Sequence, residues 1–129
     1  MLNIFAGKEK RYFLKRLDDS QKMLWDYQFK QFKAKELRED LRKEHDRLAE
    51  TLDAYKVQIE NKNNTEETRK TFEEKLKTTS ADLDKLKLQI IRQDEEIGAG
   101  NAEGPGLQSM IDGLHELRKM ILDYIAREL

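Results

Sequence analysis

The sequence has no cysteine, and its 129 residues include one proline and six glycines. The lack of cysteine excludes disulfides, thiolate zinc sites and a cysteine nucleophile, and it is compatible with a reducing compartment. No apolar run approaches the ~20 residues that a membrane-spanning helix needs. The opening segment, MLNIFA, is too short for the apolar region of a signal peptide. We therefore expect a soluble, cytoplasmic protein.

Charged residues make up 40% of the chain, and hydrophobic residues only 37%. An ordinary globular domain has about 25% charged residues, so the excess favours long exposed helices. Disorder is the alternative for so charged a chain, but the apolar residues recur at regular spacing. The net charge is −1, yet residues 1–35 hold nine Lys/Arg and four Asp/Glu. This basic end is weaker than the basic stripe of a dedicated nucleic-acid-binding protein.

Two clusters of turn-forming residues divide the chain. The first is an Asn-rich turn in which Asn64 or Thr65 can cap the following helix. The second holds four of the six glycines and the only proline, and it predicts a flexible linker. The predicted organisation is one elongated helical domain over residues 1–129, with a helix at 8–60, a turn at 61–65, a helix at 65–97, a Gly-rich linker at 98–106 and a helix at 107–128.

The first two helices carry apolar residues at alternating steps of three and four. The positions are Leu41, His45, Leu48, Leu52, Tyr55 and Ile59 in the first helix, and Phe72, Leu76, Thr79, Leu83, Leu86, Ile90, Gln93 and Ile97 in the second. This spacing is typical of the a and d positions of a coiled coil, and the short connection makes the helices antiparallel neighbours. Folding the chain about residue 63 pairs these positions in register, from Tyr55 with Phe72 to Leu37 with Ile90. The sequence therefore predicts a long antiparallel coiled-coil hairpin.

The first helix extends about 20 residues past the predicted end of the second. Its apolar residues there are Phe13, Leu14, Leu17, Leu24, Trp25, Phe29 and Phe32. The third helix has an apolar arc of about 200°, whereas packing on one neighbour needs little more than ~100°. We expect an all-α fold in which this C-terminal helix packs on the overhang of the first helix and on a further element, in the same chain or in another subunit.

The sequence indicates no catalytic, cofactor or metal site. His45 and His115 have no cysteine or histidine partner at helical spacing, and His45 lies at a seam position where a polar residue fixes register. The acidic run at residues 94–96 lacks the spacing of a calcium loop. The glycines at 98–106 lack the preceding strand and the Gly-Lys-Ser/Thr of nucleotide-binding loops. We expect a protein that is not an enzyme and binds no cofactor.

Two segments suggest contact with other molecules. Residues 23–33 hold four of the ten aromatic residues, of which Trp25, Phe29 and Phe32 share a helical face while Tyr27 points away from it. They suit a core beneath the third helix, a protein interface or stacking on single-stranded nucleic acid. The N-terminal tip has the apolar residues Met1, Leu2, Ile4 and Phe5, followed by several Lys and Arg. This pattern is typical of a segment that docks on an anionic membrane surface. The alternatives are a packed end-cap of the bundle and a frayed terminus.

These features together predict a structural or protein-interaction protein, namely an adaptor, small chaperone or assembly scaffold. It would present a rigid helical hairpin, and its apolar base would bind protein partners or form a homo-oligomer. The predicted contact surface consists of Trp25, Phe29, Phe32, Leu117, Ile121 and Ile125. The alternatives are a peripheral membrane protein that uses the N-terminus and a single-stranded nucleic-acid binder that uses residues 8–35.

Overall fold

The computed structural model describes the backbone from Ile4 to Leu129 and the side chains from Gly7 onward. Its elements are α1 (Ile4–Glu60), α2 (Glu66–Ile97), β1 (Gly100–Asn101), β2 (Gly104–Pro105) and α3 (Leu107–Glu128). α1 and α2 pack as a hairpin and α3 packs on α1, so the predicted all-α fold is confirmed. α1 begins at Ile4, four residues before the predicted start at residue 8. Gly7 therefore lies within the helix, although a helical glycine costs ~1 kcal/mol.

The described residues group into two compact units. Unit 1 comprises the described residues up to Ala34 together with Glu95–Leu129, and unit 2 comprises Lys35–Asp94. Unit 1 therefore holds the N-terminal half of α1 with β1, β2 and α3. Unit 2 holds the C-terminal half of α1 and most of α2.

Unit 2 is the antiparallel hairpin. The rings of Tyr55 and Phe72 lie 5.8 Å apart, which confirms that predicted pair, and Leu83 is buried in the seam. The predicted pairing of Leu37 with Ile90 is wrong, because Leu37 is 49% exposed. The seam continues instead through the residue one position later, Arg38.

Polar contacts fix both ends of the hairpin. At the turn, the Thr65 hydroxyl accepts a hydrogen bond from the backbone N–H of Thr68 at 3.1 Å, which caps the first turn of α2. The Asn64 side chain donates to the carbonyl of Gln58 at 2.8 Å. At the other end, Arg38 Nη1 donates to Asp94 Oδ1 at 3.0 Å.

Unit 1 is built on the antiparallel packing of α3 against the N-terminal half of α1. Its core has two clusters, one formed by Leu24, Ile111 and Leu114 and the other by Ala34, Ile97 and Leu107. Tyr27 packs against both clusters. Farther along, the rings of Phe13 and Tyr124 lie 5.0 Å apart. The prediction that the third helix packs on the overhang of the first is confirmed.

The connector between α2 and α3 is an ordered turn, and the predicted flexible linker is wrong. β1 and β2 pair antiparallel, with Asn101 opposite Gly104. The Asn101 side chain accepts the backbone N–H of Glu103 at 2.8 Å, which closes an Asx turn. Gly100 has φ +94°, a conformation open to glycine and strained for other residues. Gly100 therefore sets a specific backbone geometry in this turn.

Candidate functional site

Three aromatic side chains of α1 stand on the surface of unit 1. Trp25 is 63% exposed, Phe29 59% and Phe32 57%. Steps of four and three residues place them on one side of the helix, and we call these three residues the aromatic face. α3 does not cover them, so the alternative that they form the core beneath the third helix is wrong. Clustered exposed apolar side chains of this kind mark interaction surfaces.

The aromatic face is excluded from the core by the register of the seam. The positions of α1 that face α3 continue the three-four spacing of the hairpin towards the N-terminus; they are Phe13, Leu17, Ser20, Leu24, Tyr27, Gln31 and Ala34. Trp25 and Phe32 each follow a seam residue by one position, so they point about 100° away from the seam. Tyr27, predicted to point away from the aromatic face, does so: it is half-buried and packs against the core.

Polar residues in this seam have partners within unit 1. Ser20 is 3% exposed, and its hydroxyl donates to the carbonyl of Leu17 at 2.7 Å. Arg118 Nη1 on α3 donates to the same carbonyl at 2.7 Å and to the Ser20 hydroxyl at 3.0 Å. Gln31 Nε2 donates to the carbonyl of Ile97 at 3.0 Å. The Arg118 bonds join α3 to α1 and are satisfied at one alignment only, so they fix the register of α3 on α1, whereas the Gln31 bond ties the end of α2 to α1.

The six residues of the predicted contact surface do not form one exposed patch. On α3, Ile121 is buried, Ile125 is half-buried and Leu117 is exposed. By helical spacing, Leu117 lies on the flank of α3 that carries Tyr124, whose hydroxyl donates to Glu9 Oε1 at 2.6 Å. Trp25 lies about 160° around α1 from Glu9. The aromatic face is therefore on the other flank, apart from Leu117.

Lysines and aspartates surround the aromatic face. Lys33 Nζ lies 5.6 Å from the centre of the Phe29 ring, within the range of a cation–π contact. Lys22 pairs with Asp18 at 3.3 Å, and both side chains are more than two-thirds exposed. Ion pairs this exposed contribute about 0–1 kcal/mol, so these lysines can exchange their partners at little cost.

Groups with shifted pKa values lie elsewhere. The hydrogen bond to Glu9 raises the pKa of Tyr124, and desolvation adds to this increase. In unit 2, the hydrogen bond from Arg47 lowers the pKa of Glu44. The first pair joins α3 to α1 and the second lies within α1 at its surface. Neither pair lies next to a nucleophile or in an apolar cleft.

Unit 2 has a shallow groove beside its seam. The groove has a volume of about 440 Å³ and is lined by Arg42, His45, Asp46, Lys87, Ile90 and Ile91. His45 Nδ1 lies 3.3 Å from Asp46 Oδ1, and the His45 ring is half-buried at the seam position predicted for it. From Gly7 onward, no group of three or more His, Asp or Glu residues has the arrangement of a metal site.

The structure bears only partly on the membrane alternative. None of the helices, as far as they are described, is long and apolar enough to cross a bilayer. The side chains of the predicted N-terminal tip, from Met1 to Phe5, lie outside the described residues. Surface docking through that tip therefore stays a prediction.

Comparison of the chain with protein-family models, curated proteins and solved structures finds no match. The features that bear on function are accordingly those of the chain itself. Of these, the aromatic face has the composition and exposure typical of a binding surface.

Proposed function

We propose that the protein is a non-enzymatic interaction protein, an adaptor or assembly scaffold, that binds other proteins through the aromatic face. One observation carries this proposal: three aromatic side chains, each more than half exposed, lie side by side on a helix whose opposite side is buried. Tryptophan and other large aromatic residues dominate the binding energy of protein interfaces. Removing such surface from water is favourable.

The size of the aromatic face suits the centre of an interface. With 150–250 Å² per aromatic side chain, the exposed fractions leave about 400 Å² of accessible surface. A stable, specific interface buries about 800 Å² on each partner. The aromatic face would supply the apolar centre of such an interface, and the neighbouring lysine and glutamine side chains would supply its polar rim.

Site-specific photo-crosslinking tests the proposal directly. Benzoylphenylalanine placed at Phe29 is expected to give a protein adduct in the cells that express the chain. The matched control is Met23, which is similarly exposed but lies about 160° around α1 from Trp25. The adduct at Phe29 should disappear in a Trp25→Ala background, while helical content by circular dichroism stays unchanged. Equal adducts at both positions, or none at Phe29, would refute the proposal.

The predicted homo-oligomer is tested separately by light scattering on a sizing column. A mass near 15.3 kDa means that the partner is a different molecule. A multiple of this mass that falls to the monomer in Phe29→Ala means that a second copy occupies the aromatic face. A multiple that survives this substitution places self-association on another surface.

A further inference from the structure

We infer that the end of unit 1 farthest from the connector docks on the surface of an anionic lipid bilayer. The docking surface is one flank shared by α1 and α3. It consists of Lys10, Arg11, Leu14, Lys119 and Leu122, and we call these residues the basic face. The aromatic face begins about 16 Å farther along α1 and takes no part in this inference.

Two exposed leucines stand side by side in the basic face. Leu14 is 47% exposed and Leu122 51%. Because the rings of Phe13 and Tyr124 meet across the seam at 5.0 Å, the antiparallel helices bring positions 14 and 122 to the same level. By helical spacing, Leu14 lies about 140° around α1 from Glu9, and Leu122 lies about 160° around α3 from Tyr124. Both leucines therefore stand on the flank that faces away from the bond between Tyr124 and Glu9.

Basic side chains surround this pair of leucines. By helical spacing, Lys10 and Arg11 lie about 40° and 60° around α1 from Leu14. Lys119 lies about 60° around α3 from Leu122. All three basic residues are exposed. Apolar side chains bordered by Lys and Arg are typical of helices that bind anionic bilayers, because the alkyl stems can cover apolar surface while the charges reach the headgroups.

The positive charge of unit 1 is confined to this end. Residues 7–17 and 119–129 together hold seven Lys/Arg and three Asp/Glu, a net charge of +4. The remaining residues of unit 1, 18–34 and 95–118, hold four Lys/Arg and eight Asp/Glu, a net charge of −4. An anionic surface is therefore attracted to the end that carries the basic face and repelled by the rest of unit 1.

The acidic residues near the basic face are turned away from it or paired. The Glu9 carboxylate accepts the Tyr124 hydroxyl at 2.6 Å on the other flank. Asp123 and Glu128 lie at least 100° around α3 from the leucine of that helix, by the same helical spacing. Asp18 follows the basic segment on the same flank of α1, and it pairs with Lys22 at 3.3 Å. The exposed charge beside the leucines is thus positive.

A charged plane also attracts the basic residues outside the basic face. Lys8, Lys15 and Arg16 are exposed on other sides of α1, whose diameter with side chains is about 10–12 Å. The potential of a charged surface extends about 10 Å at 0.1 M salt, so it reaches these residues as well. Each Lys or Arg near an anionic bilayer raises the partition coefficient about fivefold. A planar partner therefore uses the whole basic end.

Nucleic acid and a folded protein match the basic face less well. Single-stranded nucleic acid binds by stacking its bases on aromatic side chains, and the basic face has none. Duplex phosphates would pair with the basic residues but would leave the two leucines in water. The centre of a protein interface is depleted of lysine, whereas here Lys10 and Lys119 border the leucines. A bilayer surface uses both the charge and the apolar pair.

Sedimentation with lipid vesicles tests the inference on the full-length protein. Vesicles of phosphatidylcholine that contain about 30% phosphatidylserine are compared with vesicles of phosphatidylcholine alone. We expect binding to the phosphatidylserine vesicles only. Raising the salt from about 0.1 M to about 1 M should weaken this binding about tenfold or more, because the surface potential is then screened within about 3 Å.

Charge variants locate the contact. Lys10→Gln combined with Arg11→Gln should lower the partition coefficient about 25-fold, at fivefold for each charge removed. The matched control is Lys77→Gln with Lys85→Gln, at exposed positions of α2. It makes the same change in net charge and should leave the partition coefficient within about twofold. Circular dichroism at 222 nm should show equal helical content in both variants.

A leucine variant tests the apolar part of the contact. Leu14→Gln should lower the partition coefficient about fivefold, since its side chain no longer gains from leaving water. Leu88→Gln is the matched control, because Leu88 is similarly exposed, at 56%, on α2. Its partition coefficient should equal that of the parent protein.

Other outcomes overturn the inference. It fails if neither kind of vesicle binds, if phosphatidylcholine alone binds as tightly, or if either variant has the same effect as its control. It also fails if oligo(dT) or duplex DNA displaces the protein from the vesicles through a surface that Leu14→Gln does not affect. Phe29→Ala should leave vesicle binding unchanged, and an equal loss there would place the bilayer contact on the aromatic face. The crosslinking result at Phe29 is independent of these outcomes, so the two proposals fail separately.

Discussion

Gly106, the residue before α3, has no room for a side chain. A Cβ at this position would lie 2.2 Å from the carbonyl oxygen of Gly98 and 2.6 Å from that of Glu95. Both are backbone atoms, so the overlap cannot be relieved by a change of rotamer. The backbone at Gly106 has φ −83° and ψ 173°, which any residue can adopt. Alanine at this position is therefore excluded by packing, and its dihedral angles carry no strain.

Gly106→Ala should open the connector. Opening breaks the hydrogen bonds from Gln108 N–H to the Gly98 carbonyl and from the Ser109 hydroxyl to the Ala99 carbonyl, both 3.1 Å long. With about 1 kcal/mol for each of the two bonds and about 1–3 kcal/mol for overpacking, we expect a loss of about 3–5 kcal/mol in the free energy of unfolding. With a urea dependence of about 2 kcal/mol per molar, the middle of the usual range, the midpoint should fall by about 1.5–2.5 M.

Urea unfolding followed by circular dichroism at 222 nm measures this loss. Gly104→Ala is the matched control, because a Cβ there has no neighbour within 4 Å, and its free energy of unfolding should stay within about 0.5 kcal/mol of the parent protein. Gly113→Ala, in open space within α3, should raise stability by about 0.5–1 kcal/mol. If Gly106→Ala unfolds at the same urea concentration as Gly104→Ala, the connector is a flexible linker after all.

Two further substitutions probe the contact between α1 and α3. Arg118→Met should lower the free energy of unfolding by about 1–3 kcal/mol, because the Leu17 carbonyl and the buried Ser20 hydroxyl lose a charged partner. The double variant with Ser20→Ala should lose less than the sum of the single losses, and strict additivity would mean that the two side chains do not interact. Tyr124→Phe should change the pH dependence of thermal unfolding: the raised pKa of Tyr124 beside Glu9 makes this bond stabilising below the usual tyrosine pKa near 10, and that stability is lost as pH rises through the folded pKa. The Tm of the parent protein should then fall more than that of the variant between pH 8 and 11, and parallel curves would contradict the assigned bond.

The hairpin could be predicted from the sequence because its seam is mostly apolar. From Leu41 to Ile59 the three-four spacing falls on large apolar residues at every position except His45, so the pattern and the packing agree. Towards the N-terminus the same spacing falls on Arg38, Gln31 and Ser20. Because more hydrophobic residues flank these polar positions, the sequence-based prediction chose Leu37 instead of Arg38 as the seam residue. Continuing the spacing strictly from Leu41 would have found the true seam.

A pattern of hydrophobicity does not show why polar residues are tolerated in the seam. Each has a partner on another segment of its own unit: Arg38 bonds to Asp94, Gln31 to the Ile97 carbonyl, and Ser20 to Arg118. These partners are 56 to 98 residues away in the sequence. The ordered connector was missed for a similar reason, because glycine content signals conformational freedom, whereas here the glycines allow close backbone packing.

The two units place very different demands on the order of folding. In unit 2, Tyr55 meets Phe72 only 17 residues later, so the hairpin can close as soon as α2 has been synthesised. In unit 1, the bond from Tyr124 to Glu9 spans 115 residues, and contacts between such distant segments form slowly. Leu17 and Leu24 must therefore wait, uncovered, until the residues of α3 leave the ribosome. During that interval the nascent chain exposes its core residues beside the aromatic face, which makes this the stage at which chaperone binding or aggregation competes with folding.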